Sequence, residues 1–311
     1  MRPLVALTVA VSLVAALAGC SSSTGDSASG CTPDAVAGDA STTITAAGDF
    51  GASDPEASFP TPLLTSTLQV STISEGDGEV VQPGDYVDFI ATQYDSTTGE
   101  IAYAAQQARY GASDASDLNE IFECVAVGSR IAAVVPVGDT AGDTDAAVLV
   151  IDILDRIPGK AWGRSLLPVS GLPAVVTAPD GTPGITVPDA DAPTTLRSAV
   201  LKQGDGETVA EGDSVVLQYS EYTWDQPATQ VDSSWTATAP STYTATAWDS
   251  SSSTGLWPGT EDAVIGQQTG SQVIVVVPPD DSYSSDETAP DSLGSDVTRI
   301  YVIDILAVTS S

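Results

Sequence analysis

Histidine is absent from all 311 residues. With it go the imidazole bases of serine and cysteine triads, His-ligated zinc and phosphohistidine relays. Cations are scarce: nine Lys and Arg stand against 42 Asp and Glu, a formal net charge of −33. A nucleic-acid partner, which needs clustered Lys and Arg on phosphates, is thereby excluded. There is no Gly-rich phosphate loop, no Gly-x-Ser-x-Gly elbow and no Cys-x-x-Cys, and no nucleophile stands beside a base. The acids are spread through loops such as Gly138 to Asp145 and Pro279 to Asp281, as expected of a solvated surface. Calcium is the sharper alternative, but Asp189-Ala190-Asp191 lacks the following glycine and distal glutamate of a calcium loop. No metal and no cofactor is expected. The one long apolar run, Leu4 to Leu17, is shorter than the roughly 20 residues of a spanning helix.

What the chain does have is a repeat. Gly76-Asp77-Gly78-Glu79 and Gly84-Asp85 return as Gly204-Asp205-Gly206-Glu207 and Gly212-Asp213, 128 residues later (76 to 204). Upstream, Pro55 and Phe59-Pro60 answer Pro183 and Val187-Pro188; downstream, Val87 and Phe89 answer Val215 and Leu217. Both copies close on similar strands, Leu149 to Leu154 and Tyr301 to Leu306, now 152 residues apart because the second copy is longer inside (154 to 306). The chain length suits two domains of about 100–150 residues.

The N-terminus carries Arg2, the apolar run and then Leu17-Ala18-Gly19-Cys20, the zones of a signal peptide ending in a resemblance to a bacterial lipobox. That resemblance implies cleavage of residues 1–19, lipidation of Cys20, and an anchored protein on the extracytoplasmic face of the cell membrane. Residues 20–40, rich in Ser, Ala, Gly and Asp, read as a disordered tether. Cys31 and Cys124 then remain, either as two free thiols or as a disulfide tying the N-terminal arm to the first domain.

β-Branched runs at Ser214 to Tyr219, Gln272 to Val277 and Arg299 to Leu306, bounded by Gly, Asp and Pro, predict strands. One helix is expected from Gly259-Thr260-Glu261-Asp262 to Gly266 or Gly270, with the Thr260 hydroxyl as its cap. The first copy has its counterpart from Asp117, with Leu118, Ile121, Phe122 and Val125 on one face. The expected class is α+β, each domain a bent antiparallel sheet around one short helix.

The order of motifs in the second copy resembles FKBP-type peptidyl-prolyl cis-trans isomerases. It runs from Val200-Leu201-Lys202-Gln203-Gly204-Asp205-Gly206 through Gly212-Asp213, Val215 to Tyr219 and Val231-Asp232-Ser233-Ser234. It continues through Leu256-Trp257-Pro258-Gly259, Gly270 to Pro279, Tyr283 and the last strand, spanning about residues 198–308. The resemblance implies two tandem FKBP-like domains: a degenerate one at 41–157 and, after a linker at 158–190, one at 191–311 with the candidate active site. It implies Tyr219, Asp232 and Tyr283 as catalytic groups, with Val231, Leu256, Trp257 and Ile303 as walls for substrate. Val231 and Ile303 stand in place of aromatics, and Thr260 in place of a tryptophan floor, with Trp257 three residues earlier. At the position of Tyr219 the first copy has Ala91, and it has no counterpart of the Val231 to Ser234 tract. The implied protein is a monomer that isomerises proline-containing segments of exported proteins during folding at the membrane surface; the alternative is a catalytically inactive binding or chaperone lipoprotein.

Overall fold

The computed structural model describes residues 31–309 apart from 53, 112–116, 138–144, 238, 250–254 and 284–295. Cys20, the tether up to residue 30 and most of the acidic Gly138 to Asp145 loop lie outside the described residues. No helix among the described residues is long and apolar enough to cross a membrane.

The first half contains β1 (Thr45–Ala47), β2 (Glu56–Ser58), β3 (Gln69–Ser74), β4 (Tyr86–Asp95), β5 (Ile101–Gly111), α1 (Asp117–Phe122), β6 (Arg130–Pro136) and β7 (Ala146–Ile157). The second contains β8 (Arg164–Ser165), β9 (Ala174–Thr177), β10 (Pro183–Thr186), β11 (Arg197–Gln203), β12 (Ser214–Thr223), β13 (Gln230–Ser233), β14 (Ser241–Thr244), α2 (Glu261–Val264), β15 (Gln272–Val277) and β16 (Arg299–Thr309). Two sheets result, ordered β3-β6-β7-β4-β5 and β13-β12-β16-β15-β11-β8, with β14 also on β12. All their pairings are antiparallel, as expected, and among the described residues α-helix is confined to six and four residues.

Each sheet is covered on both faces, which is why β6, β7, β15 and β16 are apolar nearly throughout rather than alternating. One face of the first sheet packs Val87, Ile131, Ile151 and Ile153 against Ile121 and Phe122 of α1. The other holds Val134, Val148 and Val150 with Ala46 and Ala57 of the β1–β2 hairpin. The second sheet repeats this, with Ala263 and Val264 of α2 on one face and Val175 and Ile185 of the β9–β10 hairpin on the other. Each hairpin is locked in the same way: Tyr94 donates its phenol to the Pro55 carbonyl, and Tyr222, 128 residues on, donates to Pro183 O at 2.5 Å.

The shared Gly-Asp-Gly-Glu motif marks a close loop crossing. A Cβ at Gly76 or Gly204 would lie 2.2 Å from the carbonyl oxygen of Val127 or Thr269, so only glycine fits. Gly76 N and Gly204 N then reach Ser129 Oγ and Ser271 Oγ at 2.9 and 3.0 Å.

Three expectations need correction. Residues 31–40 are packed rather than free: Val70 N donates to Val36 O at 3.1 Å, Ala40 N to Gln69 Oε1 at 3.0 Å, and a disulfide joins Cys31 to Cys124. The segment 158–190 is no plain linker, because it supplies β8, the β9–β10 hairpin and the buried Leu172 and Val187. The Thr260 hydroxyl does not cap α2. Thr260 is itself in helical backbone geometry, and its Oγ1 donates back to Trp257 O at 2.7 Å.

The two sheets meet directly. Tyr86 and Ile157 pack on Val216 and Leu306, and Gln218 Nε2 donates to Tyr86 Oη at 2.6 Å.

Candidate functional site

β12 and β13 run antiparallel with Glu221 opposite Asp232 and Ser220 opposite Ser233. This register brings the two polar members of the site together: Tyr219 Oη donates to Asp232 Oδ2 at 2.6 Å. The Asp-Ser-Ser tract builds the corner that holds them. Ser233 N donates to Asp232 Oδ1 at 2.7 Å, Tyr219 N donates to Ser234 Oγ at 2.8 Å, and the Ser233 side chain accepts from Trp235 N. Burial, reinforced by the Asp232 carboxylate, pushes the Tyr219 phenol far above its ordinary value. Tyr219 therefore holds its phenol proton tightly and donates a hydrogen bond to Asp232, which lies at the exposed rim.

Behind this pair lies an aromatic cluster. The Trp257 ring centroid is 4.4 Å from that of Tyr219 and 4.6 Å from that of Tyr243, and it stacks on Tyr301 at 5.3 Å and 28°. The loop ahead of α2 delivers it: Gly259 adopts φ +75°, Thr260 is fully buried, and both its N–H and its hydroxyl return to the Trp257 carbonyl. Thr260 thus anchors the turn that sends the indole inward, and Trp257 reaches the cluster from three residues upstream. Leu256 and Ile303 are buried in the same apolar cluster as Tyr219, whereas Val231 is half-buried on β13 and outside it.

Tyr283 is buried, 1% exposed, although its sequence neighbours are serines and acids. Its ring meets Trp248 edge-on at 5.4 Å, and the Arg299 guanidinium lies 5.0 Å from its centroid. Arg299 is paired with Glu221, and Glu221 Oε1 also accepts from Tyr301 Oη at 3.2 Å. Tyr283 is therefore linked to the Trp257 stack through a buried ion pair.

Sequence reasoning missed Tyr243, Tyr301, Glu221 and Arg299. For two of them a signal was available. Tyr301 is two residues before Ile303 and so on the same strand face, and Glu221 is likewise two residues after Tyr219. Ile303 stands in place of an aromatic, and Tyr301 on the same strand brings a ring to the cluster. Tyr243 arrives through the pairing of β14 with β12, opposite Val215, which no local pattern announces.

In the first sheet the position of Tyr219 is Ala91, on the same rung opposite Ile151 as Tyr219 is opposite Ile303. Among the described residues the polar pair has no counterpart there; Phe89 and Phe122 lie 4.8 Å apart, tilted at 39°, in its core instead. Among the described residues no group of His, Cys, Asp or Glu could hold a metal ion. Chemically the site offers a buried wall of rings, one phenol donor and one rim carboxylate. That is equipment for orienting an amide, not for attacking one.

Residues 205–306 match the family model described as FKBP-type peptidyl-prolyl cis-trans isomerase. No curated protein matches the chain. Among solved structures, the chain is similar to the three FKBP domains of wheat FKBP73, at 14% identity and a TM-score of 0.31, covering 78% of this chain and 95% of that one. It is similar to FkpA from Escherichia coli at 20% identity and a TM-score of 0.31, covering 45% of this chain and 53% of that one. A peptidyl-prolyl cis-trans isomerase from Pseudomonas syringae pv. tomato follows at 19% identity and a TM-score of 0.29, covering 37% and 76%. The functional reading rests on the family match and on the site itself.

Proposed function

We propose that the C-terminal domain, which belongs to the FKBP-type peptidyl-prolyl cis-trans isomerases by its match over residues 205–306, carries the catalysis of the chain, and that the first domain, residues 41–157, does not. The observation that carries this reading is the Tyr219–Asp232 pair set against the Trp257–Tyr301 stack. Rotation about an X-Pro amide must cross a barrier of ~18–20 kcal/mol because twisting destroys amide resonance. No covalent step is needed. A ring-lined, water-poor surface favours the twisted amide, which is less polar than the planar one, and a fixed donor and acceptor orient the flanking peptide groups, so the transition state is bound better than either isomer. Tyr219 and Asp232 are assigned the hydrogen-bonding roles, Tyr283 a wall beside them, and Leu256, Trp257 and Ile303 the apolar floor.

The substrates in this reading are proline-containing segments of exported proteins, and the protein acts as a monomer on the outer face of the membrane, held by lipid on Cys20. The signal-peptide and lipobox pattern of residues 1–20 supports the location. A chain whose folding is limited by prolyl isomerisation should refold faster with the wild-type protein and at its unassisted rate with Asp232→Ala. Cys20→Ser should move the protein from the membrane to the soluble fraction, and unchanged membrane association would exclude the anchor.

A second reading is favoured by one observation: Trp257 and Tyr219 are only 5% and 7% exposed, so the rings are packed against one another. In this reading the scaffold binds unfolded segments without isomerising them. Binding of an X-Pro peptide with no acceleration of its cis/trans exchange would decide for it.

A further inference from the structure

The second sheet buries two opposite charges, Glu221 and Arg299, at positions where the first sheet has Gln93 and Ala147; the first sheet's own buried ion pair, Arg130–Asp152, lies on another rung. Arg299 is 0% and Glu221 4% exposed, and they form an ion pair on adjacent strands β16 and β12. Replacing such a pair by apolar groups is often neutral or stabilising, because desolvation offsets the attraction. Stability therefore gives little reason for it to be there.

The chain contains its own control. Glu221 stands opposite Tyr301 and Thr223 opposite Arg299; in the first sheet Gln93 stands opposite Leu149 and Asp95 opposite Ala147. The same ladder thus closes with Gln93 and Ala147 in place of Glu221 and Arg299. An ion pair at these positions occurs only in the copy that has the Tyr219–Asp232 site.

What the pair touches is that site. Tyr219 and Glu221 lie on one face of β12, and Arg299, Tyr301 and Ile303 on one face of β16, by strand alternation. The Tyr301 hydroxyl donates to Glu221, while its ring stacks on Trp257; the Arg299 guanidinium sits over Tyr283. Tyr283 and Trp257 come from different loops, and the ion pair on the two central strands is what joins them.

We infer that Arg299 and Glu221 are positioning residues of the prolyl isomerase site: Arg299 holds the ring of Tyr283 through a cation–π contact, and Glu221 holds the phenol of Tyr301 and with it the stack on Trp257. The inference rests on the isomerase reading above. The pair touches no substrate and acts through the rings.

The test uses the full-length chain with two variants. Glu221→Gln combined with Arg299→Met removes both charges at similar volume and leaves neither unpaired. Arg299→Lys keeps the charge without the planar fork. Thermal melts, near-ultraviolet circular dichroism and separated kcat and KM for an X-Pro peptide are measured. The double variant should melt cooperatively and close to wild type, with altered aromatic dichroism and a KM raised about tenfold, the mark of misplaced binding walls. Arg299→Lys should recover part of that loss. A folded double variant with unchanged KM and unchanged aromatic bands overturns the inference. If the double variant does not fold, Arg299→Lys alone decides, and a wild-type KM overturns it. A wild-type chain that accelerates nothing overturns the isomerase reading instead, and the aromatic bands then decide ring positioning separately.

Discussion

Asp152 and Asp304 occupy the same rung of the two sheets, yet one faces a guanidinium and the other an amide. Asp152 stands opposite Arg130, which reaches its two oxygens at 2.6 and 2.8 Å, and it also accepts from Gly51 N at 2.6 Å. Asp304 stands opposite Gln272 and accepts from Gln272 Nε2 at 2.7 Å and from Ala161 N at 2.8 Å. In both copies this aspartate ties a preceding segment of chain to the sheet. Without a bidentate cation, burial pushes Asp304 up to about 6, against the pull of the Ala161 and Gln272 hydrogen bonds and of Lys202 and Lys160.

The first prediction follows from that shift. The folded value lies above the unfolded one of about 3.9, so the folded state holds this proton more tightly. Asp304 therefore contributes most below about pH 4, and its contribution is lost as pH rises from there through about 6, an effect on the order of 2–3 kcal/mol over the whole window and about half of that above pH 5. Thermal melts at pH 5 and pH 7.5 should give a higher Tm at pH 5 for wild type, and Asp304→Asn should reduce that difference. Asp155, also raised by burial, contributes in the same direction, so the wild-type-minus-variant difference is the quantity to compare.

A second prediction concerns the other aspartate. Arg130→Met leaves Asp152 buried and unpaired and should cost about 3–5 kcal/mol in urea unfolding of the first domain. Asp152→Asn with Arg130→Met should recover most of it.

The third concerns the N-terminal arm. The Cys31–Cys124 bond closes a loop with a sequence separation of 93 residues. Replacing both cysteines by serine should lower the stability of the first domain by about 2–5 kcal/mol. Isomerase activity in the second domain should stay unchanged.

The fourth concerns the aromatic floor. Trp257→Ala empties the centre of a cluster that includes Tyr219, Tyr243 and Tyr301, and should cost about 3–5 kcal/mol. Tyr219→Phe removes only a hydroxyl whose partner Asp232 is exposed, so it should cost about 1 kcal/mol or less while lowering kcat/KM. A larger stability loss for Tyr219→Phe than for Trp257→Ala would contradict this packing.

The repeat made much of the architecture legible, because an offset of 128 residues holds at several positions where packing or backbone geometry leaves little choice. Gly76 and Gly204, and Tyr94 and Tyr222 with their prolines, are such places. The strands β15 and β16 were legible from β-branched runs. The β9–β10 hairpin was not, since four-residue strands between Pro, Ser and Gly carry too few alternations to stand out from a linker. Helix α2 came out shorter than expected, because Ile265 is already extended and Gly266 adopts φ +84°. Within the site, Tyr219 and Asp232 were found from motif order, while Tyr243 and Arg299 depend on pairings between distant strands that local spacing does not encode.

The central claim is that a histidine-free domain isomerises prolyl bonds with Tyr219 and Asp232 at the rim of an aromatic wall. Its most direct test is the cis/trans exchange rate of an X-Pro peptide, measured by NMR with full-length wild type and with Asp232→Ala. The account predicts acceleration by wild type and at least about a tenfold loss of kcat/KM in the variant. Equal acceleration by the two proteins, or none by wild type, would contradict it.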